Sequence, residues 1–231
     1  MARYAITDIH GCARTFKELV LNQLRLQKRD ELYLLGDFVN KGPDSKGVID
    51  FILHLQKQHY QVHCLRGNHD QMLLEAASKG EKALTLAAHE KKLVLQSFGV
   101  HDFRKLPPLY LQFLDALPHY LELPDHFLVH AGFDFHQANI FSDKEAMLNI
   151  RNYEVDWERL SNKRLLHGHT PAALHSIKKA VAHRNPKINL DGGCVYYKNA
   201  AYGNLVALDL DTNYLKIQYN LDRPYPVNRK S

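Results

Sequence analysis

Apolar residues in the first seventy positions follow two alternating patterns. Short runs, Arg3 to Thr7, Leu32 to Leu35 and Val62 to Leu65, have the length of buried strands. Between them, Thr15 to Gln27 and Lys46 to Gln58 read as helices. In the second of these, Val48, Ile49, Ile52 and Leu55 keep one stripe at helical spacing, and Pro43 and Asp44 suit its start. Such alternation implies parallel strands joined by right-handed crossovers. From Gln71 to about Leu117 the pattern turns helical, with Leu73, Leu74, Ala77, Leu84, Ala88 and Leu93 interrupted by Gly80 and Gly99; this block is expected to form a helical cap over the functional site. Short strands return around Tyr120, Phe127, Leu165, Ile188, Leu205 and Leu215, and residues 204–220 read as a hairpin turning at Asp211-Thr212-Asn213. The expected fold class is α/β, two packed sheets between helical layers, in one domain over residues 1–222 with a basic tail over 223–231.

Composition narrows the function classes. At 231 residues, with 45% hydrophobic and 24% charged positions, the chain can bury a substantial core, which sets aside disordered and fibrous readings. The net charge of +5 favours anionic substrates, but lysine and arginine are scattered, so nucleic acid is not indicated. Cys12, Cys64 and Cys194 stand far apart without a CxxC pair, as reduced thiols in a cytoplasmic protein would. No apolar run reaches membrane-spanning length and the first strand begins almost at Met1, so no membrane association and no cleaved leader are expected. The oligomeric state is not legible.

The candidate chemistry lies where the strands end. Five islands, Asp8-Ile9-His10-Gly11, Gly36-Asp37-Phe38-Val39-Asn40-Lys41-Gly42, Gly67-Asn68-His69-Asp70, His130-Ala131-Gly132 and His167-Gly168-His169, each follow an expected strand. In a layered α/β domain the carboxyl ends of strands share one edge, so residues remote in sequence can converge there. Asp8 and His10, two apart on an extended segment, point to the same side and can hold one ion. Asp37 follows the apolar run Leu32 to Gly36, where a carboxylate is costly unpaired but can bridge two cations. Asn68 adds a carbonyl oxygen, and His130 and His169 add imidazoles; oxygen and nitrogen donors without thiolate point to Mn²⁺, Fe or Zn²⁺. With 15 histidines present, any one alone is ordinary, and it is the joint pattern that carries the reading. His167 alternates with His169 and should face away.

These islands resemble the calcineurin-like metallophosphoesterases, and within them the bacterial branch of the phosphoprotein phosphatases, which includes serine/threonine phosphatases and symmetrical diadenosine tetraphosphate hydrolases. The resemblance runs from residue 3 to about 210. It implies a central β-sandwich of two mixed sheets flanked by helices, and two divalent ions, Mn²⁺ foremost. One ion would be held by Asp8, His10, Asp37 and His169, the other by Asp37, Asn68 and His130, with Asp37 bridging. Three positions depart from the family pattern: Thr7 replaces a glycine, Asn40 replaces the Asp that pairs with the catalytic His, and Lys41 replaces a phosphate-holding Arg.

A pair of cations would polarise the phosphoryl oxygens and make a water nucleophilic near neutral pH. His69 is placed to protonate the leaving group as general acid, with Asp70 as a compensating neighbour, while Asn40, Lys41 and Arg151 are expected to bind the substrate phosphate. The first expectation for the substrate is a phosphorylated protein or similar small phosphoester. The alternative is a dinucleoside polyphosphate such as diadenosine tetraphosphate, which needs a nucleoside pocket, expected from Tyr110, Phe113, Phe133 or Phe135. A non-catalytic scaffold of the same fold is the third reading.

Overall fold

The computed structural model describes residues 1–222, so the expected basic tail lies outside the described residues. In chain order the strands are β1 (Arg3–Ile6), β2 (Glu31–Leu34), β3 (Gln61–Cys64), β4 (Tyr120–Glu122) and β5 (His126–Val129), then β6 (Arg164–His167), β7 (Lys187–Asn189), β8 (Asn204–Asp209) and β9 (Tyr214–Tyr219). They form two mixed sheets, of order β3-β2-β1-β8-β9 and β4-β5-β6-β7. Strands β1, β2 and β3 are mutually parallel, with Tyr4 opposite Leu32 and Leu32 opposite Val62. In the second sheet β5, β6 and β7 are likewise parallel.

Period-two alternation explains why the sheets stack. Ala5, Tyr33, Leu35, Leu128, Leu166, Ile188 and Leu208 share one buried cluster drawn from both sheets, which is the seam of the sandwich. Their neighbours point outward. Ile6, Leu32, Leu34 and Val62 pack under helices, while Phe127, Val129 and Leu165 bury against Phe133, Met147 and Leu160 on the far side. Strands covered on both faces read as near-continuous apolar runs, as the sequence showed.

Helices α1 (Ala13–Glu18), α2 (Ser45–Lys57), α3 (Asn68–Lys79), α4 (Ala88–Phe98) and α5 (Pro108–Asp115) belong to the first layer; α6 (Lys144–Asn149) and α7 (Leu174–Ala182) follow later. The helix expected over 15–27 ends earlier. After α1 the chain widens into π turns over Leu19–Gln23, with the Leu24 N–H donating to the Leu19 carbonyl, and Arg25 at φ 52° stops it. Helix α2 matches its stripe, with the Asp44 side chain accepting from the Gly47 N–H. Within the 71–117 block, Leu73, Ala76, Val94, Phe98, Tyr110 and Leu114 bury into the same core as the first sheet and α2. The hairpin turns where expected, the Asp209 carboxylate accepting from the Asp211 and Thr212 N–H groups.

Candidate metal centre

Each of the six parallel strands delivers a polar residue just past its carboxyl end: Asp8 after β1, Asp37 after β2, Asn68 after β3, His130 after β5, His169 after β6, and Asp191 after β7. All are buried, at 9% exposure or less. The chain leaves the strands in an unusual conformation there. Asp8, His10, Asp37, Asn40, Lys41 and His169 all have φ between 47° and 73°. Asp, Asn and His tolerate that region better than most residues, and such strain collects at functional sites. Gly36, at φ 94°, lets two strand-end loops touch: a Cβ there would lie 2.5 Å from the Gly67 nitrogen.

The ligand atoms converge as acceptors. His10 Nδ1 bonds the Val39 carbonyl at 3.1 Å and His130 Nδ1 bonds the Leu35 carbonyl at 2.9 Å, so in each neutral ring Nε2 keeps its lone pair. His10 Nε2 faces Asp37 Oδ2 at 3.4 Å and Asp8 Oδ1 at 3.9 Å. His130 Nε2 faces Asn68 Oδ1 at 3.0 Å and Asp37 Oδ1 at 3.5 Å. Three acceptors meeting in a buried place repel one another unless a cation lies among them. The Nε2 of His169 is buried with no hydrogen-bond partner, a further sign that the set fits metal ions. Asp8, Asp37 and His130 form one ligand group and His10, Asp37 and His69 another, with Asp37 common to both.

Burial sets the protonation states. It lowers the pKa of His10, with the Lys41 charge adding to it, and lowers His169 to about 3, keeping both rings neutral. Burial works the same way on His130, but Asp37 and Asp8 outweigh it and raise that ring. Burial pushes Asp37 up to about 6 against the opposing pull of His130.

Several expectations change on contact with the geometry. The His169 imidazole lies against Asn68 Oδ1, at 3.1 Å, and the His130 ring, while only its backbone N–H reaches Asp8. Its ring therefore groups with Asn68 and His130, not with His10 as the resemblance implied. Asn40 is 0% exposed and its amide lies 3.2 Å from His69 Nδ1, so it holds the imidazole and cannot reach a phosphate. Asp70 is no catalytic neighbour. It is 0% exposed, and its carboxylate accepts from the backbone N–H groups of Asp37, Phe38 and Gly67, bracing two of the strand-end loops. His69 lies beside His10, ring centroids 4.8 Å apart, and its backbone N–H donates to Asp37 Oδ1. Burial, then Lys41, lowers its pKa well below the ordinary histidine value.

Lys41 Nζ donates to His10 Nε2 at 3.0 Å, and an ion on that nitrogen would turn the ammonium outward. Arg151 is exposed, bonds Thr170 Oγ1 at 3.3 Å beside His169, and lines a cavity of about 820 Å³ with Phe135, His136, Tyr153 and Lys187. His167 does face away, toward Tyr153. Of the aromatics expected for a nucleoside, Tyr110 and Phe133 are buried and Phe113 packs against Phe38; Phe135 alone opens to a cavity. Two residues escaped the sequence reading. Thr7 Oγ1 bonds the Asp8 carboxylate. Asp191, buried, has its pKa pushed well above the carboxylate range by burial and by Asp8. Its Asp-Gly pair after the strand at Ile188 repeats the island pattern and was the available signal.

A sandwich whose parallel strands gather carboxylate, amide and imidazole at one edge is the architecture of a metal-dependent phosphoesterase. The sequence profile of the calcineurin-like phosphoesterase family matches residues 1–215, and the chain belongs to that family, whose members use a binuclear metal centre. Within it, the chain is 45% identical over 78 residues to a symmetrical bis(5'-nucleosyl)-tetraphosphatase of Nitrosospira multiformis, a match covering 33% of this chain and only 27% of that relative. A crystal structure of a candidate diadenosine tetraphosphatase superposes with a TM-score of 0.64 at 21% identity, covering 95% of this chain and 93% of the other. A Saccharomyces cerevisiae protein serine/threonine phosphatase gives the same TM-score at 15% identity, covering 98% and 81%. These two likenesses are of fold. No helix among the described residues is long and apolar enough to cross a membrane.

Proposed function

We propose that this protein hydrolyses dinucleoside polyphosphates, with diadenosine tetraphosphate as its substrate, using two Mn²⁺ ions held among Asp8, His10, Asp37, Asn68, His130 and His169. The observation that carries the reading is the partner of His69. A serine or threonine leaves as an alkoxide and needs a strong push of acid, which a carboxylate beside the imidazole would support by stabilising its charged form. Here the partner at 3.2 Å is the neutral amide of Asn40. A nucleotide leaves from a phosphoanhydride as a stable phosphate anion and asks much less of the acid. The names of the sequence relatives point the same way, whereas the serine/threonine phosphatase expected first has support only at the level of fold.

The ions, when bound, would polarise the phosphoryl group and supply the nucleophile. The chain's own residues do the rest. Lys41 and Arg151 stand on two sides of the centre as cations for the polyphosphate, Lys41 as a point charge and Arg151 as a planar fork. His69 delivers a proton to the leaving oxygen, and Asn40 fixes its ring. The three cysteines are free and buried, which suits a reducing compartment such as the cytoplasm.

Diadenosine tetraphosphate and a phosphoserine peptide, offered side by side with Mn²⁺, test this reading. The dinucleotide should be cleaved at the higher kcat/KM, and His69→Ala should lower kcat by about 10² to 10⁴. Faster cleavage of the peptide would restore the phosphatase reading. No turnover of either by the metal-loaded protein would favour the scaffold.

A further inference from the structure

We infer that Tyr196 and Tyr202 form a shelf that receives a nucleobase of the substrate, an inference that rests on the function proposed above. Tyr196 is 43% exposed, one of three aromatic side chains, with Tyr214 and Tyr219, that are this open among the described residues. With Tyr202, Pro171 and Asn199 it walls a cavity of about 340 Å³, and the two rings meet edge to face at 6.3 Å. None of the aromatics expected from sequence lines it.

The shelf is pre-built. Gly193, at φ 62°, packs against both rings: a Cβ there would lie 3.1 Å from Tyr202 and 3.2 Å from Tyr196, close enough to push the rings from their places. The Gly193 carbonyl accepts from the Tyr196 and Gly203 N–H groups, and the Asn199 carbonyl accepts from Tyr202. Two further bonds tie this loop to the segment that follows His169, Ala172 N–H to the Asp191 carbonyl and Leu174 N–H to the Ala201 carbonyl. Rigid aromatic rings held in place lose little entropy when a flat ligand stacks on them.

Its position names the ligand. Lys41 Nζ is 3.0 Å from His10 Nε2 and 6.0 Å from the centre of the Tyr196 ring, so one ammonium spans from the candidate metal centre to the shelf. Pro171, two residues past His169, is the wall on the other side. A ligand that places phosphate beside Lys41 and a flat, apolar ring on Tyr196 is a nucleotide; Asn199 Oδ1 accepts from the Ala201 N–H, which leaves the amide NH₂ to donate to a base edge. Stacking on an aromatic face is tolerant of base identity.

Calorimetric titration of the Mn²⁺-loaded protein with AMP and with ribose 5-phosphate, the same phosphate without the base, isolates the shelf. The native protein should bind AMP about tenfold more tightly or better. Tyr196→Ala and Tyr202→Ala should each remove about a tenfold advantage, about 1.4 kcal/mol and within the range of one base contact, and leave ribose 5-phosphate binding unchanged; Tyr196→Trp should keep it. An AMP advantage equal in the native and alanine proteins overturns the shelf, as does parallel loss for both ligands. Cleavage of diadenosine tetraphosphate is read separately. Cleavage with an unaltered AMP ratio defeats the shelf alone, and an AMP advantage lost in the alanine variants without any cleavage defeats the proposed substrate while upholding the shelf.

Discussion

Asn40 is the residue on which the chemistry turns. Its amide holds His69 Nδ1 and the His69 carbonyl, each at 3.2 Å, but brings no charge, while burial and Lys41 depress the imidazole pKa. A general acid works only while protonated, so a depressed pKa brings the alkaline loss of activity to lower pH. Asn40→Asp places a carboxylate against the ring, favours the imidazolium and raises that pKa. The alkaline limb of the pH-rate profile on phenyl phosphate, whose basic phenoxide leaving group needs the proton, should then move up by about one unit. The position of the limb, unlike the rate, does not depend on how much of the variant folds. A limb that stays in place would remove His69 from the role of acid.

At the scale of elements, the first helix is held by the last described residue. The N-cap residue of α1, Cys12, makes no side-chain cap, and the Asp222 carboxylate takes over, accepting from the Arg14 and Thr15 N–H groups and from Thr15 Oγ1. An anion at a helix N-terminus satisfies orphaned donors and meets the positive end of the dipole. Asp222→Ala should cost about 2 kcal/mol, a fall in Tm of about 5 °C by thermal unfolding. This cap shows where sequence reading stops. The strands were legible in runs such as Leu32-Tyr33-Leu34-Leu35, because a strand buried on both faces needs nothing beyond apolar residues. The ligand candidates were legible as Asp, His and Asn at strand ends. The roles of Asn40, Asp70 and Asp222 were not, because each is set by a partner remote in sequence: a ring 29 residues away, N–H groups up to 33 away, or a helix 208 away. Helix α1 overshot for a related reason, since the change to π turns leaves Leu19 and Val20 buried and no periodicity marks it.

For the whole molecule, the centre concentrates carboxyl groups in a place with little water. Asp8, Asp37, Asp70 and Asp191 are each at most 2% exposed. Divalent ions that relieve this repulsion would favour the native state, which alone assembles the site. At 100 times its dissociation constant an ion adds about 2.7 kcal/mol, so Mn²⁺ should raise Tm by about 5 to 10 °C and a chelator should reverse it. The gain depends on pH with a definite sign. Burial lifts Asp37 to about 6, so a proton competes with the ion below that value. The Mn²⁺-dependent rise in Tm should be full above about pH 7 and shrink as pH falls through 6; a rise that is constant from pH 5 to 8 would remove Asp37 from the ligand set.

The two sheets contribute unequal halves of that centre. Asp8, Asp37 and Asn68 come from the end of one, His130 and His169 from the end of the other, and the seam between them is apolar. The end of the first sheet gathers Asp8, His10 and Asp37, donors enough for one ion, whereas the donors for the other, Asp37 and Asn68 with His130 and His169, come from both sheets. Uptake of that second ion would be a clasp that closes only after the sandwich has been assembled, a late event in folding and a reporter of it. A chain whose second sheet has not docked should therefore take up one Mn²⁺ and not two, so the second ion could serve as the readout of the sheets' meeting.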